Sequence, residues 1–310
     1  MPKLQQNKLK PLDVDSYRDS LGDGTRKYRG LTTGALQVDE LLSGLEGLVL
    51  MAGRSGVGKT TLATQLALGV AKKTPVLIYS LEMGKNSITT MLVQILARGL
   101  YRDDIELRGN SKDLDKDKKK LLGEALEKLD ELAPNIFVRD ASDEIPEVIT
   151  GDDSVLKDVE ALKVLTNSKD ILVVVDSVQD IIPMTTNQVT AEVQVMTQMT
   201  QLQQTTGATI LLISQKNKSS GKDGDSYSSV KGSMNLIHKP STVFELVSTR
   251  ELAGKSSPLT DDDEKVLETM KEIEDTSQSY AILLNMIKGR YTKTSHDVLE
   301  YVGHQGYYKL

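Results

Sequence analysis

From Leu31 onward, short uninterrupted apolar runs alternate with stretches whose apolar residues recur every three or four positions. Runs of the first kind predict strands buried on both faces, and the periodic stretches predict amphipathic helices. The strand-like runs are Gly47–Ala52 (GLVLMA), Val76–Ser80 (VLIYS), Ile171–Val175 (ILVVV) and Thr209–Ser214 (TILLIS). Shorter ones fall at Ile136–Arg139, Thr242–Val247, Tyr280–Met286, Val298–Val302 and Tyr307–Lys309. Helical spacing runs through Thr60–Lys72 (Leu62, Leu66, Val70) and Ser87–Leu100 (Ile88, Met91, Leu92, Ile95, Leu96). It returns in a charged stretch, Asp113–Leu132, with the stripe Leu121, Leu122, Ala125, Leu126 and Leu129, and near Ser154–Leu165 and Ala191–Thr205. Thr260–Asp275 reads as an acidic inserted helix with Thr260 as its N-cap. The alternation predicts an α/β fold around a mostly parallel sheet. Residues 1–30 are polar and without a sustained period, and read as an arm or linker.

Composition narrows the setting. Hydrophobic residues make up 38% of the 310 and charged residues 26%, enough for a large core. With no Trp and two Phe, aliphatic side chains must fill that core. The absence of Cys excludes disulfides and thiolate metal sites. No apolar run reaches the roughly 18 residues of a membrane span, and MPKLQQNKLK lacks the form of a signal peptide, so a cytoplasmic protein without membrane contact is expected. The formal net charge of −6 means that any contact with nucleic acid must come from a local patch.

The sharpest chemistry lies in GRSGVGKT, Gly53 to Thr60, between a predicted strand and a predicted helix. Glycines at 53, 56 and 58 let the backbone close around phosphates and turn its N–H groups inward, and the helix N-terminus adds positive partial charge. Gly53, Ser55, Gly56, Val57, Gly58, Lys59, Thr60 and Thr61 are expected to line an ATP site. There Lys59 would reach the β- and γ-phosphates and the Thr60 hydroxyl would meet Mg²⁺. Asp176 directly follows ILVVV, at the strand edge where ligands of open α/β sheets sit, and is either a second contributor to the Mg²⁺ site or a strand-terminating acid. Glu82 also follows a strand, one expected to lie beside the phosphate-loop strand. It could orient or deprotonate the attacking water, or simply face a helix dipole. Gln215 ends TILLISQ and could sense the γ-phosphate. Lys288 and Arg290 alternate on a predicted strand and would point the same way, toward an anion or into solvent.

Several segments together resemble one family. TTGALQVDELLSGLEG, AGRSGVGKTTLATQLA, SLEMGKNSITTMLV, DSVQDI, LLISQKNKS and NMIKGRYTKTSHDVLEY are similar to the successive motifs of DnaB-type replicative helicases. The resemblance covers residues 31–310 and implies a RecA-like P-loop ATPase core, with C-terminal antiparallel strands beside the mostly parallel sheet and without the helicase N-terminal domain. It further implies that Glu82 is the catalytic glutamate, that Gln215 couples nucleotide to DNA, and that Lys288 and Arg290 reach the γ-phosphate bound by a neighbour. The implied assembly is a homo-oligomeric, hexameric ring on single-stranded DNA, with primase or loader proteins as further partners. Lys216, Lys218, Lys222 and Lys231, in a stretch rich in Gly and Ser, would then meet DNA phosphates. Lys231-Gly232-Ser233-Met234 departs from the family's Arg-Gly-Ser-Gly run, and residues 251–278 exceed its usual connection. DSVQ and KGRYT are also similar to RadA-type recombination ATPases, whose zinc ribbon this Cys-free chain cannot form. A nucleotide switch or loader that hydrolyses ATP without unwinding is the remaining alternative.

Overall fold

The computed structural model describes residues 27–106, 114–143, 147–150, 154–183, 187–216, 235–255, 258–289 and 295–310. Its strands are β1 (Leu48–Gly53), β2 (Val76–Ser80), β3 (Ile136–Asp140), β4 (Leu172–Asp176), β5 (Thr209–Gln215), β6 (Thr242–Ser248), β7 (Tyr280–Gly289), β8 (His296–Val302) and β9 (Tyr307–Lys309). They form one sheet in the order β3-β2-β4-β5-β1-β6-β7-β8-β9. Pairing is parallel from β3 to β6 and antiparallel from β6 to β9. The fold is the α/β one expected, with the antiparallel strands at its C-terminal side.

The apolar runs are continuous because each central strand feeds two cores. Val49 and Met51 of β1, Val174 of β4 and Leu211 and Ile213 of β5 face one layer of helices. Leu48, Leu50 and Ala52, Val173 and Val175, and Ile210 and Leu212 face the other. The helices are α1 (Leu36–Leu42), α2 (Lys59–Val70), α3 (Lys85–Ala97), α4 (Arg102–Glu106), α5 (Lys116–Leu132), α6 (Val155–Thr166), α7 (Gln188–Thr206), α8 (Asn235–His238), α9 (Thr249–Ala253) and α10 (Asp261–Thr276). Side-chain caps fix several starts: Asp115 for α5, Ser154 for α6 and Asn187 for α7. Thr260 caps α10 as expected, in a reciprocal capping box with Asp263. α10 buries Val266, Leu267 and Met270 in a separate apolar cluster with Val247, Leu252, Ala281 and Leu283.

Three readings of the pattern change. α5 starts at Lys116 rather than Asp113, because the Asp115 carboxylate accepts the Lys118 N–H; within its stripe Ala125 is buried while Leu126 stays 45% exposed. β2 does not neighbour β1, since β4 and β5 lie between them. The last residues of the expected arm are tied down: the Gly30 N–H donates to the Ser43 carbonyl, and Arg29 pairs with Glu46. Residues 1–26 lie outside the described residues.

Candidate active site

β1 ends at Gly53, and α2 begins at Lys59 after a loop in which Gly56 and Gly58 take positive φ of 82° and 90°. A side chain at Gly58 would be strained twice over, because its Cβ would also stand 2.5 Å from the Tyr308 hydroxyl. That hydroxyl donates toward the carbonyls of Val57 (3.1 Å) and Gly58 (3.4 Å). Gln65 of α2 brackets the same tyrosine, donating to its carbonyl and accepting its N–H, each at 2.8 Å. Tyr301 stacks on its ring at a centroid distance of 4.7 Å. The last strand thus walls the phosphate loop. No local pattern announces this role for Tyr308, which acts 250 residues from Gly58.

Lys59 is 8% exposed, and its Nζ donates to the Arg54 carbonyl at 2.9 Å. Burial lowers the pKa of this ammonium, offset in part by Asp176, Glu82 and Glu251. The Thr60 hydroxyl donates to Asp176 Oδ2 at 2.6 Å across 116 residues of sequence. Burial raises the Asp176 pKa, with the Thr60 hydrogen bond acting against it and the nearby Glu82 charge adding to it. Glu82 reaches this group because the Leu81 N–H donates to the Asp176 carbonyl at 2.8 Å, joining the ends of β2 and β4; its side chain is exposed. Gly53, Ser55, Gly56, Val57, Lys59, Thr60, Thr61, Asp176 and Glu82 therefore gather at one end of the parallel strands, although β2 is not adjacent to β1.

Gln215, half-buried at the end of β5, is held by a residue that the sequence reading passed over. Gln179, in the turn after Asp176, donates to Ser214 Oγ at 2.8 Å and accepts the Gln215 N–H at 3.4 Å. Asp140 at the end of β3 is a second such residue. It accepts the Lys85 N–H at 2.6 Å and so caps α3 behind Glu82, and hydrogen bonds from the Ser142 hydroxyl, then the Lys85 and Ser142 amides, hold its pKa at about 2.

Two expected sites move. Lys216 does not face outward toward DNA. Its side chain is 6% exposed, and Nζ pairs with Glu245 at 2.6 Å and Glu251 at 3.1 Å. Burial lowers its pKa, but the two carboxylates outweigh that and raise it overall. Lys288, expected to project toward a neighbour, donates to the carbonyls of Ile237, His238 and Pro240, at the C-terminal end of α8 where a cation suits the helix dipole. Lys218, Lys222, Lys231 and Arg290 lie outside the described residues.

A triphosphate with Mg²⁺ fits this donor set. A buried cation rests on a neutral carbonyl of a glycine-rich loop, and a hydroxyl–carboxylate pair of hard oxygens stands one residue along. Among the described residues no three His, Cys, Asp or Glu side chains cluster as a metal site would. A family model described as the DnaB-like helicase C-terminal domain matches residues 30–236. The chain belongs to that family. A role as a replicative helicase follows, ahead of the recombination and nucleotide-switch readings. No curated protein sequence matches the chain.

Solved structures carry the DnaB-like fold past residue 236. One solved as an ATPase domain superposes with a TM-score of 0.74 at 17% identity, covering 95% of this chain and 96% of that one. A DnaB-like replicative helicase, solved in a study of its interactions with primase, gives 0.72 at 16%, covering 95% and 66%. A KaiC-like protein from the hyperthermophilic archaeon Pyrococcus horikoshii gives 0.51 at 16%, covering 91% and 98%. At these identities the likeness concerns the fold. No helix among the described residues is long and apolar enough to cross a membrane.

Proposed function

We propose that residues 31–310 form one ATPase domain, preceded by an arm, and that it drives a ring of identical subunits along single-stranded DNA. The observation that carries this reading is the Thr60–Asp176 hydrogen bond, beside a desolvated Lys59 that is bonded only weakly for a buried cation. Lys59 would leave the Arg54 carbonyl for the β- and γ-phosphates, where its charge offsets the cost of its burial. Mg²⁺, held through Thr60 and Asp176, supplies charge neutralisation to the phosphates when bound. Glu82 orients the attacking water and takes its proton at the carboxylate, and its exposed position leaves it open to that water. Gln215, fixed by Gln179, senses the γ-phosphate at the root of the segment that meets DNA, where Lys218, Lys222 and Lys231 remain as phosphate contacts.

Arg290 acts in trans on a neighbour's γ-phosphate in this reading, while Lys288 holds the α8 end against β7 and so sets where that strand delivers Arg290. Primase or a loader would contact the ring elsewhere, and a hexamer is the assembly that the family favours. The test mixes subunits. Glu82→Gln should keep nucleotide binding and lose turnover by about a hundredfold. Arg290→Ala should lose DNA-stimulated hydrolysis by about 10³. Mixing the two inactive variants should restore part of the activity, because interfaces pairing intact Glu82 with intact Arg290 reappear. No recovery at any ratio, with subunit exchange shown independently, would remove the shared site.

A further inference from the structure

The burial of Lys216 links two places that the motifs treat separately. Its N–H donates to the Gly53 carbonyl at 3.1 Å, so the root of the chain beyond Gln215 is bonded to the last residue of the phosphate-loop strand. Its side chain crosses the end of β1 to reach Glu245 on β6 and Glu251 on α9. Glu245 also accepts the Asn285 amide of β7 at 2.9 Å. Glu251 faces a second cation: Arg54 Nε, in the phosphate loop, lies 3.3 Å from the same Oε1 that Lys216 holds.

The joint between Arg54 and Glu251 is unfinished. Arg54 Nε and Glu251 Oε2 are both buried, and neither has a hydrogen-bond partner among the described residues. The backbone of Arg54 is meanwhile occupied, because its carbonyl holds the Lys59 ammonium. Phosphate entry would draw Lys59 away and free Arg54 to turn. The two unmade bonds favour a turn that pairs Arg54 with Glu251 more fully. Turning the Glu251 carboxylate so that Oε2 meets Arg54 also moves Oε1 relative to the Lys216 ammonium, which Glu245 holds from the other side, and Lys216 is the residue that directly follows Gln215.

We propose that Glu251 is a positioning residue that couples occupancy of the phosphate loop to the chain beyond Gln215, through Arg54 on one side and Lys216 on the other. The inference rests on reading the phosphate loop as an ATP site and the chain after β5 as DNA-facing. The relay it describes is one group with two arrangements, biased from both sites, which is what coupling requires.

The measurement is the affinity of the full chain for fluorescent oligothymidylate, with and without Mg²⁺ and a non-hydrolysable ATP analogue. In the wild type the analogue should change DNA affinity by at least about fivefold, the low end of ordinary coupling. Glu251→Gln keeps the shape of the side chain but not its charge, and should bring that factor to within about twofold of one. Each ligand's affinity in the absence of the other should move by less than about threefold, a split that a merely structural role would not give. Arg54→Met, at a side chain 43% exposed and so safe for folding, should collapse the factor in the same way. Wild-type coupling in both variants would overturn the relay alone, as would a wild type that binds both ligands without coupling. A wild type that fails to bind nucleotide or DNA would overturn the underlying reading and the relay with it.

Discussion

Two buried lysines divide the molecule into different kinds of place. Lys59 and Lys216 are both almost out of reach of water, on either side of the end of β1. Around Lys216 the chain supplies two carboxylates, and the ammonium is held above its ordinary pKa. Around Lys59 it supplies a neutral carbonyl, and the ammonium falls below. An isolated charge taken from water is costly unless it is paired. The region of Lys216 is complete within the fold, whereas Lys59 is held by one neutral carbonyl, which in the proposed function an incoming anion replaces. Basic residues beside each other in motif-rich sequence can thus serve opposite ends, and charge alone does not separate them.

The widest break in this comparison should come from Lys59→Ala. Hydrolysis should fall by about 10³ or more, as for loss of a preorganised cation on phosphate. The melting temperature should hold or rise, because a desolvated charge with no carboxylate bond is removed. A fall in melting temperature without loss of turnover would mean that Lys59 is structural after all. Lys216→Ala should behave in the reverse way. Removing one side of a buried ion pair typically costs about 3–5 kcal/mol, and urea titration should show a loss of that size. Adding Glu245→Gln and Glu251→Gln should recover part of it, and no recovery would mean that the carboxylates are not the reason.

A smaller effect sharpens the same point with the sign of charge inverted. Asp140 is a carboxylate completed by the chain, with its pKa held at about 2 by hydrogen bonds from Ser142 and Lys85. Its folded pKa lies below the ordinary value of 3.8, so its stabilisation is full above that value and is lost as pH falls through 3.8 toward 2. Wild type should therefore be more stable than Asp140→Asn above about pH 5, and the gap should close on acidification. A gap independent of pH would show that the carboxylate charge plays no part in capping α3.

The half of the fold that was legible in sequence is the half in which neighbours in the chain act together. β1, the phosphate loop and α2 announce themselves because glycine spacing and apolar period sit within about twenty residues, the scale on which such patterns are read. Asp176 and Glu82 could be placed because a strand edge locates them, even though the strand order around β2 was misjudged. Lys216 was misassigned because its partners, Glu245 and Glu251, are 29 and 35 residues away and carry no local signal. The bonds of Lys288 were hidden for the same reason, since the carbonyls it meets are about fifty residues away, at and just beyond a short helix that periodicity cannot reveal. Gln179 lies inside DSVQDI, yet its bonds to Ser214 and Gln215 exist only because β4 and β5 are adjacent.

The wall that Tyr308 builds against Val57 and Gly58 has a consequence for the order in which the protein comes into being. Synthesis runs from the N-terminus, so the phosphate loop leaves the ribosome 251 and 250 residues ahead of the hydroxyl that holds it. By Gln215 the five strands β1 to β5 are all present and can pair with one another, while the β6 side of β1 and the later members of both cores are still to come. The motif GRSGVGKT is then complete as sequence and in place on its strand, but Gln65 has no β9 to bracket and Gly58 has no tyrosine beside it. The nascent chain can therefore pair its first five strands long before its phosphate loop acquires its wall. The support that the Tyr308 hydroxyl gives the Val57 and Gly58 carbonyls arrives only with β9.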